Sequence, residues 1–547
     1  MSEKYTAKSY MHFDYKFNFK GKVENYVYGF KENPNHNFLP LVYGLLSYDK
    51  FSDLSSFDKN DYFYRLNKNG IETKIPIKTK KRPIMYASHK DNYIYKHYGL
   101  ELNDLYNKYV FDNNFDDSSI AYRTNKKGKC NIDFSAEVIN FINKNEGCYI
   151  YVGDFSSFFD TLNHKYLKKM ISKLYENGNI PKHQYKIYRS LTKYSYIDIR
   201  DINYYTSKKR NLYDGGKLRF LENMRDFRNF KKEETIVKEI RKVKIIKFKK
   251  RRYCNQNKKV KKRNNKYKSV VNSRNHRYKK KIIVKEEVLK KNLMNYGIPQ
   301  GTAMSAIYSN IYMLEVDEYI NTLITKYSGI YRRYSDDFVI ILPNVSKEEF
   351  TMMIHNIENK LRNEAKLTIN PSKTQVMNFK KNKLMDLYIK LPKSLDYLGF
   401  TFDGINVKMR EKSIYNYYRT AYELVKKGVV ISKKKGHIFS KKRLTYKRRL
   451  YQKYHIFGER TDVKYGYKKR PYGTFITYAL KSQKLFDELS PNTNNLMFRQ
   501  IETHQEKIKK RVFEAELYLK TGESKYLTKK RKKYLKNTRN KETIIRN

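Results

Sequence analysis

Two hydrophobic patterns divide this chain at about residue 405. Before that point the apolar positions cluster in short β-favouring runs broken by Gly, Pro, Asn and Asp; after it they recur with helical spacing. Tyr149-Ile150-Tyr151-Val152-Gly153 reads as a short buried strand that delivers Asp154 to its C-terminal end. Within 331–342, two more β-favouring stretches flank the pair Asp336-Asp337, which the pattern puts in a tight turn. Gly297-Ile298-Pro299-Gln300-Gly301 is a turn that leads through Thr302-Ala303-Met304-Ser305 into an apolar run over 306–319, long enough for a helix. Downstream, the spacing predicts helices over 415–426, 474–489 and 496–519, the last carrying Ile501, Ile508, Val512, Phe513 and Leu517. Elements of both kinds predict an α+β protein.

Outside these elements the chain is basic. Residues 1–75 are mixed and aromatic-rich and read as an N-terminal extension. A long insertion over 200–290 holds β-prone stretches at 236–248 and 269–284 around an Asn/Lys-rich segment at 255–268. It reads either as a hairpin that grips RNA, with Lys249, Lys250, Arg251 and Arg252 as contacting cations, or as a solvated loop. Cations cluster again at 433–435, 441–443 and 447–449, which suits duplex contact or a solvated face, and 528–547 form a basic tail that reads as disordered or as an RNA contact.

The charge balance narrows the partners. Lys and Arg number 117 against 55 Asp and Glu, a formal net charge of +62 that opposes compaction unless polyanions or counterions offset it. An AT-rich coding bias explains abundant Lys, Asn, Ile and Tyr and the missing Trp, but not the shortage of acids. Nucleic acid is the natural partner. The 53 tyrosines add surface for base stacking, although most suit structural positions. A chain of 547 residues has room for two or three domains. Cys130, Cys148 and Cys254 show neither metal-ligand nor disulfide spacing, which fits a reducing compartment. With no apolar run of membrane-spanning length and a polar N-terminus, the expectation is a cytoplasmic protein without a membrane partner.

Two adjacent carboxylates at a turn repel each other unless a divalent cation sits against them. Alone, an Asp-Asp turn is equally at home in solvent. Asp154 changes the weighing, because three carboxylates on neighbouring strand ends can hold two Mg²⁺ ions about 4 Å apart, the arrangement that nucleotidyl transfer uses. Phe159, downstream of Asp154, either packs beneath an incoming sugar or is an ordinary core aromatic. Gly297 and Gly301 allow close backbone approach to a ligand, and the helix start beyond them offers free N–H groups.

In this order the residues resemble the palm motifs of bacterial reverse transcriptases. Asp154 with Phe159 resembles motif A, 297–305 resembles motif B, and Tyr334-Ser335-Asp336-Asp337 is similar to the Tyr-x-Asp-Asp of motif C. Further on, 367–374 resembles motif D and 395–400 the primer-grip segment; upstream, Lys80-Lys81-Arg82-Pro83-Ile84 and Ala121-Tyr122-Arg123 resemble fingers motifs. The likeness covers about 75–405. It implies a right-hand polymerase fold: fingers and palm over 76–199 and 291–405, an antiparallel palm sheet carrying the acids, and a helical thumb over 406–527. It implies that Asp154, Asp336, Asp337 and the Phe155 backbone carbonyl bind two Mg²⁺, with Mn²⁺ a substitute. Arg82, Arg123, Phe159, Gln300, Gly301 and Lys373 would meet the deoxynucleotide, Phe159 as steric gate and Lys373 as a proton donor to pyrophosphate. Leu398, Gly399 and Phe400 would steady the primer end.

The chain lacks a cluster of paired Cys or His ligands after the palm, a Val-Thr-Gly thumb signature and an acid-rich C-terminus. By elimination it most resembles the stand-alone, defence-associated enzymes of the abortive-infection and unknown groups. That resemblance implies RNA-directed DNA synthesis from dNTPs on a noncoding RNA, antiphage function, and a homo-oligomer or partner protein. Untemplated or protein-primed synthesis, and a maturase-like RNA-binding role, stay open as alternatives.

Overall fold

The structure, a computed structural model, describes residues 10, 12–14, 17, 20–51, 62–66, 72–202, 213–214, 217–218, 236–243, 279–286, 288–434, 444, 446–454, 475–489 and 493–521. Helices and sheets are mixed throughout, and the chain divides into two compact units. One comprises Met1–Tyr109 and Ser157–Met313, the other Val110–Ser156 and Leu314–Asn547.

The first unit is organised on a five-stranded sheet in the order Lys290–Lys291, Ser195–Asp198, Leu41–Phe51, Glu72–Tyr86, Tyr62–Leu66. Its long antiparallel pair runs from Val42↔Tyr86 to Phe51↔Ile77, and only the contact of Leu41–Phe51 with Ser195–Asp198 is parallel. Beside it lie the helices His164–Ser172 and Lys182–Thr192. The first is capped by Asn163, whose side chain accepts from the Tyr166 amide at 3.0 Å. The second begins at Pro181, where a residue without an N–H costs the helix nothing, and buries His183, Gln184, Ile187, Tyr188, Leu191 and Thr192.

In the insertion, Ile236–Val243 pairs antiparallel with Lys279–Glu286, from Ile236↔Glu286 to Val243↔Lys279. Within the described residues the β-prone stretches therefore pair as an antiparallel ladder; 244–248 and 269–278 lie outside the described residues. The candidate RNA contacts Lys249, Lys250, Arg251 and Arg252 lie outside the described residues, as do 255–268, 441–443 and the tail 528–547.

The second unit holds an antiparallel five-stranded sheet in the order Ile330–Tyr334, Asp337–Leu342, Tyr149–Asp154, Gln375–Lys380, Lys383–Asp386. Tyr149–Asp154 is its centre, which explains why an apolar run so short is buried along almost its whole length. Ile150, Val152, Val339 and Ile341 belong to one core with Ile139 and Ile142 of the helix Asn131–Lys144. The helix Lys347–Asn363 starts in a reciprocal cap: Ser346 Oγ accepts from the Glu349 amide at 3.1 Å, and the Glu349 carboxylate accepts from the Ser346 amide at 2.9 Å. Through Tyr151, whose hydroxyl donates to Glu358, this helix is tied to the central strand.

Helical periodicity locates the C-terminal elements but not their breaks. The 306–319 run is two helices, Ser305–Tyr312 and Leu314–Thr325, interrupted at Met313, whose φ of −91° and ψ of 2° leave the α region. The 415–426 helix extends to Glu411–Lys434, and 474–489 is Phe475–Leu489. Where the pattern predicts one helix over 496–519, Leu496–Ile501 is followed by His504–Thr521. The cause is tertiary: buried His504 bonds the Tyr454 carbonyl at 2.7 Å and the Tyr418 hydroxyl at 3.2 Å, holding the chain at the break.

Candidate active site

Asp154 ends its strand directly opposite Asp337, and opposed residues of an antiparallel pair project from the same face of the sheet. Their carboxyls are thereby held within hydrogen-bonding reach. Next door, Tyr334 pairs with Asp337, so Ser335-Asp336 is a two-residue hairpin turn, with Ser335 at the positive φ of 61° that tight hairpins demand. The turn folds back on the end of the Asp154 strand: the Phe155 amide donates to the Asp336 carbonyl at 3.2 Å. Gly153 faces Phe338, and a Cβ there would lie 2.3 Å from the ring, so this glycine lets the aromatic cover the strand beneath the acids.

A buried network that the motifs do not include fixes the hairpin. Arg333 and Asp317 are both fully buried; Arg333 Nε donates to Asp317 Oδ1 at 2.9 Å and Nη2 to Oδ2 at 2.6 Å. The Tyr331 hydroxyl donates to Asp317 Oδ1 at 2.7 Å, and Arg333 Nη1 donates to the Ser335 carbonyl at 3.1 Å. The guanidinium fork thus joins the turn bearing Asp336 to the helix Leu314–Thr325. Neither residue stands out in the sequence as a site residue; the signals that could have found them are an arginine inside a β-favouring run and an acid inside an apolar helical run.

The electrostatics are those of crowded acids. Burial, then repulsion from Asp336 and Asp154 and a hydrogen bond with Asp154, push the Asp337 carboxyl up to about 7, opposed by Lys373. Because Asp337 keeps solvent access, the like-charge repulsion is the cause that an arriving cation relieves. The Lys373 ammonium lies against the Asp154 carboxylate. Among the described residues no group of three or more His, Cys, Asp or Glu side chains gathers closely enough to cage an ion. The donor chemistry nonetheless fits Mg²⁺, a hard cation that takes one or two carboxylates and completes its shell with water and substrate phosphates.

The remaining site residues fall in separate places. In the first unit Phe159 is half-buried in the short helix Phe158–Thr161, and its carbonyl accepts from the Ile298 amide at 2.9 Å. Gln300 accepts through its carbonyl from the Met85 amide at 2.8 Å, and a Cβ on Gly301, at φ 114°, would stand 2.7 Å from the Met85 carbonyl oxygen. The 297–301 loop is therefore clamped between the Phe159 turn and the end of the Glu72–Tyr86 strand, which carries exposed Arg82 opposite Leu46. Arg123, in the second unit, is buried: its guanidinium donates to the Ser119 carbonyl at 2.9 Å and the Asp116 carbonyl at 3.0 Å and pairs with the Asp116 carboxylate. That engagement makes it a brace of its own loop. Leu398-Gly399 forms the turn between Leu395–Tyr397 and Phe400–Phe402, with positive φ at both residues, 45° and 98°. Asn131 Nδ2 donates to the Leu398 carbonyl at 3.0 Å, while Phe400 is buried against Phe486 and Tyr478. The Phe400 ring is thus part of the core, while Leu398 and Gly399 are half-buried at the turn.

Residues 180–402, which include Asp336 and Asp337, match the family described as reverse transcriptase (RNA-dependent DNA polymerase). The chain carries a reverse transcriptase domain. That domain is a nucleotidyltransferase domain, and Asp154, upstream of the matched span, joins it through the Asp337↔Asp154 register. No curated protein matches the chain. Solved structures similar to it include apo telomerase from Candida tropicalis truncated from its C-terminal domain (13% identity, 71% of this chain and 60% of that one, TM-score 0.33). Another is telomerase from Candida albicans in complex with a fragment of telomeric RNA (14% identity, 79% and 53%, TM-score 0.35). The chain spans somewhat more than half the length of these structures, and a likeness this shallow does not bear on the reverse transcriptase domain's function.

Proposed function

We propose that the protein is an RNA-directed DNA polymerase that extends a primer with dNTPs at the Asp154, Asp336 and Asp337 strand ends. The observation that carries this reading is the opposition of Asp154 to Asp337 beside the Ser335-Asp336 turn, within a chain that carries a reverse transcriptase domain. In this reading the sheet bearing the acids is the palm, the Arg82 strand belongs to the fingers, and the helices after 411 form the thumb. Asp154, Asp336, Asp337 and the Phe155 carbonyl would hold Mg²⁺, which when bound supplies Lewis-acid activation of the 3′-hydroxyl and charge neutralisation at pyrophosphate. Arg82 would meet the triphosphate, Gln300 and Gly301 would border the nascent base pair, and Lys373, whose ammonium lies against Asp154, would deliver a proton to the leaving group. The motif set supports a stand-alone cytoplasmic defence enzyme working on an associated noncoding RNA.

Extension of a DNA primer on a defined RNA template, with sequencing of the product, tests this directly. Product complementary to the template supports the reading; product unchanged by RNase pretreatment points instead to untemplated synthesis, and an inert protein overturns it. Phe159 supplies a second test. As the sugar gate, its replacement in Phe159→Ala is expected to raise ribonucleotide incorporation relative to dNTP by at least about tenfold, the scale of discrimination that one steric contact provides. Unchanged selectivity would remove Phe159 from the pocket.

The acid pair also sets a pH dependence. Since the folded-state carboxyl of Asp337 lies above its usual range, the folded protein holds a proton that the unfolded chain releases. The pair's contribution to stability therefore falls as pH rises from the ordinary aspartate value to about 7. Divalent cations compete with that proton. Mg²⁺ is expected to raise Tm more at pH 8 than at pH 5.5, and Asp337→Asn should flatten the difference; equal stabilisation at both pH values in the unmodified protein would contradict it.

A further inference from the structure

We propose that the first unit contains a groove that binds a segment of single-stranded RNA along the cationic edge of the helix Lys182–Thr192. This inference rests on the reading above only in that RNA is the strand such an enzyme must hold. The helix turns its apolar side inward, and Lys182, Lys186 and Arg189, followed by Lys193 just beyond the last turn, recur at i, i+4, i+7 and i+11 along one edge. They form a stripe roughly 16 Å long at 1.5 Å per residue, the length of a few nucleotides.

A basic helix edge in so basic a chain is ordinarily just a solvated surface. Three observations set this one apart. First, the stripe lines a cavity of about 530 Å³ together with the 34–39 segment and Tyr95, whose hydroxyl is 2.9 Å from Ser190 Oγ of the same helix. Second, no Asp or Glu lines that cavity, and among the described residues none of the four cations is ion-paired with a carboxylate; Lys193 Nζ reaches only the Met294 carbonyl, at 3.4 Å. Four like charges held together with no acid between them are costly until a polyanion arrives. Third, rings line the cavity with the charges: Tyr185, 36% exposed, with Tyr188 stacked on it and a further cation, Lys168 Nζ, 5.0 Å from its ring; half-buried Tyr194; and Phe38, stacked flat on Tyr95 at 5.2 Å.

Repeating cations with interleaved aromatic faces are the recognition chemistry of a single-stranded polynucleotide, whose phosphates pair with the charges while its bases stack on the rings. A cavity of this size accepts a base or two and excludes a duplex. An acidic protein segment would satisfy the charges but leave the rings without a matching repeat.

The test is binding of fluorescein-labelled oligouridylate to the full chain in EDTA, without dNTPs, so that its outcome does not depend on catalysis. Lys186→Ala/Arg189→Ala is expected to weaken binding about tenfold near 0.15 M salt and to make the log Kd against log salt slope shallower by about 1.4, two phosphate contacts at ~0.7 each. Tyr185→Ala/Tyr194→Ala should weaken binding about as much with the slope preserved, since stacking releases no counterions. The exposed pair Lys326→Ala/Lys347→Ala, remote in sequence, is the control and should change Kd by less than about twofold. Groove variants that bind like the unmodified protein, a control that loses as much as they do, or groove-dependent binding of polyglutamate in place of oligouridylate would each overturn the proposal. Should the protein bind RNA through the groove yet incorporate no dNTP, the catalytic reading fails and the groove stands.

Discussion

Asp337→Asn and Asp154→Asn are each expected to abolish DNA synthesis, lowering kcat on the order of 10³-fold or more, while the protein folds and melts as well as before or slightly better. The rate loss follows from the chemistry the carboxylates serve: a cation that stabilises developing charge at both the attacking and the leaving oxygen carries most of the barrier reduction in such a reaction. The stability gain follows from the crowding. Asp337 stands against Asp154 and Asp336 and is held well above the ordinary aspartate range, so an isosteric amide removes repulsion without opening a cavity. A structural acid would behave oppositely, since its loss would lower Tm and leave turnover to recover once folding was restored. Primer extension with Mg²⁺ and thermal melts in EDTA, on the same preparations, separate the two. Lys373→Ala is expected to cost less than either acid, because Lys373 assists a proton rather than holding the reacting oxygens; a loss as large as that of Asp337→Asn would move it into the metal-holding set.

The legibility of this centre follows from what each signal depends on. Strand ends are local, so the run 149–153 and the acid after it can be read from period and residue type alone, as the strand Tyr149–Asp154 shows; the turn expected at Asp336-Asp337 instead lies one residue earlier, at Ser335-Asp336, because pairing with Asp154 draws Asp337 into the strand. The 297–301 loop was legible for the same reason, its glycines sitting where a Cβ would strike Asp160 or Met85. Helix breaks are not, because at Met313 and at Glu502-Thr503 the apolar spacing continues, and at the second of these the chain is held by tertiary bonds, those of His504 to Tyr454 and Tyr418. Arg123 shows a second limit. A cation in a motif-like triplet reads as a ligand contact, whereas its partner Asp116 lies seven residues back in the same loop and takes up the guanidinium. The largest omission, Arg333 with Asp317, has the same origin: sixteen residues and a change of element separate two charges whose meaning appears only when both are buried together.

Breaking that pair supplies the other large effect. With both side chains fully buried, Arg333→Met or Asp317→Leu alone leaves a charge without its partner, and each is expected to cost about 3–5 kcal/mol, read as a fall in the urea midpoint. Arg333→Lys should be little better, because a single ammonium cannot span both Asp317 oxygens and the Ser335 carbonyl. The informative protein is the triple variant Arg333→Met/Asp317→Leu/Tyr331→Phe, which removes both charges together with the hydroxyl that bonds Asp317. Burying an ion pair costs about what its attraction returns, so apolar replacements of similar volume should bring stability back to within about 1 kcal/mol of the starting protein. Activity should not return with it. The bond from Arg333 to the Ser335 carbonyl braces the turn whose Asp336 carbonyl accepts from Phe155 at the end of the Asp154 strand, and methionine cannot make it. A triple variant that melts normally but extends primers at least about tenfold more slowly, at unchanged KM for dNTP, identifies Arg333 as a positioning residue for the catalytic turn, since a displacement of an ångström costs that much or more. If full turnover returns with stability, the pair serves only the fold, and the Ser335-Asp336 turn keeps its geometry from the hairpin register alone.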